Sequence, residues 1–370
     1  MASLEETLRD LVNLVGPSGY ESEVAQYLVS HAKMLEKNVK VDTLGNVICQ
    51  VNNHVGGPRV AVCAHMDEIG FIVRKVEQNG FLRVARLGGI EEKTLVGKEV
   101  LVLTEQRVKV PGIIGAKSHH LMKSEEKYSV VKIEDMYIDV GTENKCDTYN
   151  LGINVGSPVV FARAFFRHEH RVFANTIDNR AGCAILLETL RTIDKKRLHA
   201  EVYFIWSVQE EFSLRGILPA VRIVNPDLLL CIDIAPACDT PDLEGFSDVT
   251  LGGGPIVSTY SFHGRGTLAG LIPSPVAVHW VTQVAQEESI PLQRNVFFGG
   301  LTDASFAQLE QSGILSIDLG FATRYTHSPV EACDLRDLYN LEHLLQALLY
   351  RVCGKTIAYL RKTTDEIHGC

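Results

Sequence analysis

Four runs limit what this chain can fold into more than anything else in it. They are "RVAVCAH" (59–65), "EVYFIWSV" (201–208), "DLLLCIDI" (227–234) and "ILSIDLG" (314–320). Each is apolar almost without alternation, so each must be a strand covered on both faces. Between and after them stand amphipathic patterns. "RAGCAILLETLRTI" puts Ala184, Leu187, Leu190 and Ile193 on one face, and "PVAVHWVTQVAQEE" and "DLRDLYNLEHLLQALLYRV" also read as helices. Buried strands alternating with helices predict an α/β fold with a largely parallel or mixed sheet between two helical layers.

The N-terminal region fits the same plan. Leu4, Leu8, Leu11, Val12 and Val15 share a helical face, and Ser3 with Glu6 offers a capping box. "ESEVAQYLVSHAKML" is a second helix, and "KVDTLGNVICQV" a strand pair turning at Leu44-Gly45-Asn46. From about residue 70 to 165 the character changes. Short β-type runs ("FIVRKV", "FLRVARL", "EVLVL", "VPGIIGA", "MYIDVG", "SPVVFA") follow one another between turns, and long helical patterns are nearly absent. The expected organisation is an α/β domain of residues 1–68 and 166–370, interrupted by a small all-β barrel at 69–165.

Composition narrows the function. The 370 residues carry a net charge of −9 with no long basic run, which argues against nucleic acid as the main partner. No apolar run nears the roughly 18 residues of a membrane span, and the N-terminus lacks the basic start of a signal peptide. The nine cysteines are scattered, with no C-x-x-C pair and several inside apolar strands, as expected of reduced thiols in a cytoplasmic protein.

Polar chemistry collects where the buried runs end. "FIWSVQEEFSLRG" sets Glu210 beside Glu211 at the end of a core strand, where ionised carboxylates are costly unless paired or metal-bound. In "AHMDEIGF", His65 and Asp67 lie two apart, so Asp67 could accept the Nδ1 proton of His65 and free Nε2 for a metal. Asp178 in "NTIDNRAG" and Asp233 in "CIDIAPACDTP" stand at a helix start and a strand end, and His327 lies in "RYTHSPVE". Singly, each has a plainer reading: a surface His–Asp pair, an N-cap, a turn, or one structural histidine among thirteen. Together, two histidines and three carboxylates can hold two zinc ions. With Asp178 as the bridge, His65 and Glu211 would serve one ion, and Asp233 and His327 the other. Glu210 is then left beside the metals, free to act as a general base.

In these motifs the chain resembles the tetrahedral, or glutamyl, aminopeptidases, di-zinc metallopeptidases with relatives sometimes labelled endoglucanases. The resemblance runs through "GPSGYESEV" (16–24), "VDTLGNVI" (41–48), "AHMDEIGF" (64–71), "IDVGT" (138–142), "TIDNRAGC" (176–183), "VQEEFSLRG" (208–216), "DIAPACDTP" (233–241), "GGLTDAS" (299–305) and "RYTHSPVE" (324–331). It implies a zinc-exopeptidase-like catalytic domain with His65, Asp178, Glu211, Asp233 and His327 as metal ligands. Glu210 matches the catalytic base, acting on a metal-bridging hydroxide, and Asp67 the acid that orients His65. The inserted β domain would serve dimerisation and assembly, up to a dodecamer. The implied activity is removal of N-terminal residues from short peptides with a free N-terminus, with two Zn²⁺ per subunit or Co²⁺ or Mn²⁺ in their place.

Departures from the family pattern fall at Ser213, Asn179, Leu301, Thr323 and the segment 258–275. A di-metal amidohydrolase or deacylase of the same fold is the first alternative. A glycosidase, which would use a carboxylate pair without metal, and a non-catalytic relative are further ones.

Overall fold

The computed structural model describes residues 3–51, 56–264 and 268–362. The chain opens with helices α1 (Leu4–Asn13) and α2 (Ser22–Leu35), followed by strands β1 (Asn38–Val41), β2 (Val47–Gln50) and β3 (Arg59–His65). The expected capping box is formed at Ser3 and Glu6. Asp42 makes the β1–β2 turn by accepting the backbone N–H of Leu44, Gly45 and Asn46, each at 3.0 Å.

Six strands follow: β4 (Gly70–Val76), β5 (Leu82–Leu87), β6 (Glu99–Leu103), β7 (Lys109–Ile114), β8 (Ile138–Asp139) and β9 (Pro158–Phe161), with a short helix α3 (Lys145–Asn150) before β9. They close into a barrel in the order β4-β5-β8-β7-β6-β9. Phe71, Val73, Leu82, Val100, Ile138 and Phe161 fill it, a core separate from that of the main sheet.

Next come β10 (Phe165–His168), β11 (Arg171–Ala174), α4 (Ile177–Thr192), β12 (Glu201–Ser207), α5 (Ile217–Val224) and β13 (Leu228–Pro236). Then follow β14 (Ile256–His263), β15 (Ala269–Leu271), α6 (Pro275–Glu287), β16 (Gln293–Phe298) and α7 (Ala304–Ala307). The last elements are β17 (Leu315–Thr323), β18 (Glu331–Asp334), α8 (Leu335–Arg351) and α9 (Gly354–Leu360). The main sheet is mixed, in the order β1-β2-β12-β3-β13-β17-β14-β15, with β16 paired to β14. Its central strands β12, β3, β13 and β17 are mutually parallel.

Helices cover both faces because successive side chains of the central strands point to opposite sides. Val60, Val62 and Ala64 of β3 join the core beneath α1, α4 and α8, while Ala61 and Cys63 pack with Ile217, Val221 and Ala307 on the other face. The four uninterrupted apolar runs are the four central strands. The edge strands β14–β16 and the small sheet β10-β11-β18 lie outside the sequence expectation, since most of them are short or mix polar with apolar residues without a clear period. No helix among the described residues is long and apolar enough to cross a membrane. Eight cysteines among the described residues are free.

One buried ionic network ties the barrel stem to the sheet. Glu68, just past β3, accepts both forks of Arg163 at 2.6 and 2.7 Å, Nη2 of Arg180 on α4 at 3.2 Å, and the N–H of Gly16 at 2.9 Å. Burial raises the Glu68 carboxyl, but the Arg163 and Arg180 guanidiniums outweigh it and hold the group below the usual carboxylate range. Arg180 is itself fully buried, and its Nη1 donates to the Leu11 carbonyl at 2.9 Å. Removing one member strands charges inside the protein. Glu68→Gln should therefore destabilise the fold by about 3–5 kcal/mol, seen as a melting temperature lowered by several degrees. A variant melting with the native protein would show that the network bears no weight.

Candidate active site

The polar residues singled out in the sequence converge beyond the C-terminal ends of β3, β12, β13 and β17, the usual ligand crevice of an open α/β sheet. His65 ends β3, Glu210 and Glu211 follow β12, Asp233 lies near the end of β13, and His327 follows β17. Asp178 comes from the first turn of α4 but does not cap it: Thr176 occupies the cap position, and the backbone at Asp178 is non-helical. The Asp178–Asn179 peptide is cis. The Asp178 carboxylate instead points to His65 Nε2 at 3.1 Å and His327 Nε2 at 3.5 Å, so it lies between the imidazoles.

Three sets of side chains bring donor atoms within 4.8 Å of one another: His65, Asp178 and Asp233; Asp178, Glu211 and His327; and His65, Glu210 and Glu211. The first two differ from the sets expected from sequence, with Asp233 and Glu211 exchanged. β12 and β13 both flank β3, so strand order alone allows either acid at His65, and the side-chain positions decide it: Asp233 of β13 stands 3.9 Å from His65 Nε2. Glu211 is carried past the end of β12 to His327, at 3.6 Å.

Each imidazole is oriented from behind. His65 Nδ1 faces the Asp67 carbonyl at 3.2 Å and its Oδ1 at 3.4 Å, which leaves Nε2 as the nitrogen turned to the cluster. Asp67 is fully buried and also accepts the N–H of Glu210 at 2.9 Å, the N–H of Glu211 at 3.0 Å and the Ser18 hydroxyl at 2.6 Å. His327 Nδ1 donates to the Gly89 carbonyl at 2.7 Å, so its Nε2 too is free toward the cluster. Glu331 accepts the backbone N–H of Asp178 at 2.9 Å and of His327 at 3.1 Å, locking the two loops together.

Gly89 belongs to the barrel, and sequence reasoning gave the barrel no part in the site. The loop after β5 comes so close that a Cβ on Gly88 would lie 3.2 Å from Glu211 Oε2, and one on Gly89 3.0 Å from His327 Nδ1. A Gly-Gly pair in a sequence signals a turn, not an approach to another element, so only the three-dimensional fold exposes this contribution.

The cluster lines a cavity of about 800 Å³ together with Arg86, His263, Phe297, Phe298 and Leu301, and among the described residues no carboxylate lines it beyond Asp178, Glu210, Glu211 and Asp233. Gly299, Gly300 and Leu301 of "GGLTDAS" and His263, at the end of β14 in "SFHGRG", all reach it, although Arg265 and Gly266 of the second stretch lie outside the described residues. A larger groove, about 1080 Å³, lies elsewhere, between α2 and the barrel, and holds none of these groups.

The charges do not balance. Burial raises Glu210 and Asp233 well above the carboxylate range against the opposing His65, and pushes Glu211 up to about 7. Burial would raise Asp178 as well, but His327 and His65 hold it low. His65 stands well above its ordinary value although burial opposes this, because Glu210, Asp178 and Asp67 surround it. Glu211 and then Asp178 push His327 up to about 10. No lysine or arginine among the described residues pairs with Asp178, Glu210, Glu211 or Asp233; their ion-pair partners are the two histidines. Divalent cations would supply the missing positive charge, and an N/O donor set of this kind fits them.

The chain matches the model of the M42 glutamyl aminopeptidase family over residues 45–344. SgcX of Escherichia coli (strain K12) is 40% identical over 99% of both chains. The aminopeptidase APDkam598 of Desulfurococcus kamchatkensis superposes with a TM-score of 0.91 at 31% identity, covering 98% of each chain. The TET1 peptidase of Pyrococcus horikoshii, described as able to assemble into a tetrahedron or a large octahedral shell, superposes with a TM-score of 0.83 at 30% identity, over 95% of this chain and 100% of its own. With its fold, its acid–imidazole cluster and these relatives in agreement, the chain belongs to the M42 glutamyl aminopeptidase family and is an aminopeptidase, a hydrolase acting on peptide bonds.

Proposed function

We propose that the protein removes N-terminal residues from short peptides at this cluster, with two divalent ions, zinc by preference, in each subunit. The observation that carries the reading is the meeting of two imidazoles and three carboxylates in two sets that share Asp178. In this reading His65, Asp178 and Asp233 hold one ion, and Asp178, Glu211 and His327 the other. Cobalt or manganese would suit the same donors, since N/O sites select among such metals largely by availability. The ions would supply Lewis acidity toward a peptide carbonyl and bring the pKa of a water to about 7.

The chain's own groups do the rest. Glu210 takes a proton from the attacking water and returns it to the leaving amine. Burial, against the opposing His65, raises its affinity for protons above that of an ordinary carboxylate, as suits a group that must take one up and hand it on. Asp67 holds His65 in the tautomer that keeps Nε2 free, and Gly89 does the same for His327. The cavity walls receive the first side chain of the peptide.

The barrel of residues 69–165 is, in the same reading, a domain inserted into the catalytic one, and its role is assembly into a homo-oligomer. Dimers combining into a dodecameric shell would match the assemblies described for TET1. Buried free thiols such as Cys63, Cys183 and Cys231 fit a reducing compartment such as the cytoplasm.

Two outcomes are expected. Glu210→Gln should retain bound metal and lose at least about 10²-fold in kcat; full activity in that variant would remove Glu210 from the proton path. Chelation should abolish release of single residues and lower the melting temperature, with both restored by zinc or cobalt. After restoration, peptides with free N-termini should be cleaved and acetylated ones spared; cleavage of acetylated peptides would turn the reading toward a deacylase.

A further inference from the structure

The segment "GPSGYE" (16–21) takes no part in the chemistry above, yet it lies directly beneath it. Glu21 is buried at the N-cap of α2, but its carboxyl makes no capping bond. Its Oε1 accepts the N–H of Gly19 at 2.7 Å and, from 188 residues further along the chain, the N–H of Gln209 at 3.1 Å. Gln209 has φ +55°, a left-handed conformation that residues with a side chain seldom adopt. It is also the residue that turns the chain from the end of β12 into Glu210 and Glu211. Ser18, from the same segment, donates to the Asp67 carboxylate that receives the N–H groups of those two glutamates.

We propose that Glu21 is a positioning residue for peptide hydrolysis: its carboxyl clamps Gln209 in the left-handed conformation and so aims Glu210 at the reacting water. The inference rests on the reading of Glu210 as the proton carrier. Three features favour a clamp over a general packing role. The bond is made to backbone, at the one residue whose conformation sets the direction of the next. The acceptor is a single oxygen, so an amide can replace the carboxyl. Burial, with the neighbouring Asp67 charge added, pushes the Glu21 carboxyl up to about 7, so near neutral pH it is ionised less than an ordinary glutamate, and a neutral amide is a close stand-in.

The test is steady-state kinetics with metal content measured on the same samples. Glu21→Ala should lower kcat by about 10- to 100-fold, with KM and bound metal nearly unchanged, because displacement of a catalytic group by about 1 Å has effects of that size. Glu21→Gln should stay within about threefold of the native enzyme, since it keeps the acceptor. Adding Gln209→Gly to Glu21→Ala should restore part of the loss, because glycine takes positive φ without hindrance. Should Glu21→Ala fail to fold, Gln209→Val takes its place: branching at Cβ disfavours positive φ, so kcat should fall as for the lost clamp. Full activity in Glu21→Ala or Gln209→Val, equal damage from Gln and Ala at position 21, or parallel loss of metal would overturn the proposal. Glu210→Gln run alongside separates the two readings. If it keeps its turnover, the role of Glu210 fails; if it is inactive while Glu21→Ala is fully active, only the clamp fails.

Discussion

The surplus of buried negative charge at the sheet's C-terminal edge is the constraint on which the rest of the structure depends. Carboxylates removed from water must be paired, protonated or bound to cations. The protein answers this in two ways. Glu68 is met by two arginines, which makes it a structural acid. Among the described residues, the ion-pair partners of Asp178, Glu210, Glu211 and Asp233 are imidazoles that turn Nε2 toward them, and these acids line an open cavity. No arginine or lysine among the described residues pairs with these acids, a shortfall of positive charge that divalent cations would make good.

Holding such a cluster requires support from distant parts of the chain. The N-terminal loop supplies Ser18 and Glu21, the barrel supplies the Gly89 carbonyl, and Glu331 ties Asp178 to the His327 loop. The Glu68 network fixes the segment that follows β3 at the point where the chain passes into the barrel. Barrel and sheet therefore meet at the stem and again at the reacting centre, where Glu91 N–H also donates to the His327 carbonyl at 3.2 Å. Movement of the barrel would be felt directly by one of the two imidazoles.

Much of this was legible in the residues. The central strands could be read because they are apolar on both faces, and the cluster because its residue types fall at the ends of those strands. Which acid stands with which imidazole could not, since it depends on how the segment beyond β12 carries Glu211 to His327, and that course is not written along the chain. Nor could the part played by Gly88 and Gly89, because glycine marks a turn without saying what it turns toward. Asp178 shows the limit from the other side. An aspartate at a helix start reads first as a cap, and only the convergence of the two histidines on its carboxylate gives it another role.

The most direct test is anomalous X-ray scattering at the zinc edge from crystals of the zinc-loaded enzyme. Two peaks are expected, about 3.5–4 Å apart, on either side of the Asp178 carboxylate. One should lie against His65 and Asp233, the other against Glu211 and His327, with Glu210 outside the roughly 2.0–2.2 Å of a carboxylate ligand. A single peak, peaks outside the cluster, or Glu210 coordinated in place of Glu211 would contradict the two-ion site and the role given to each residue around it.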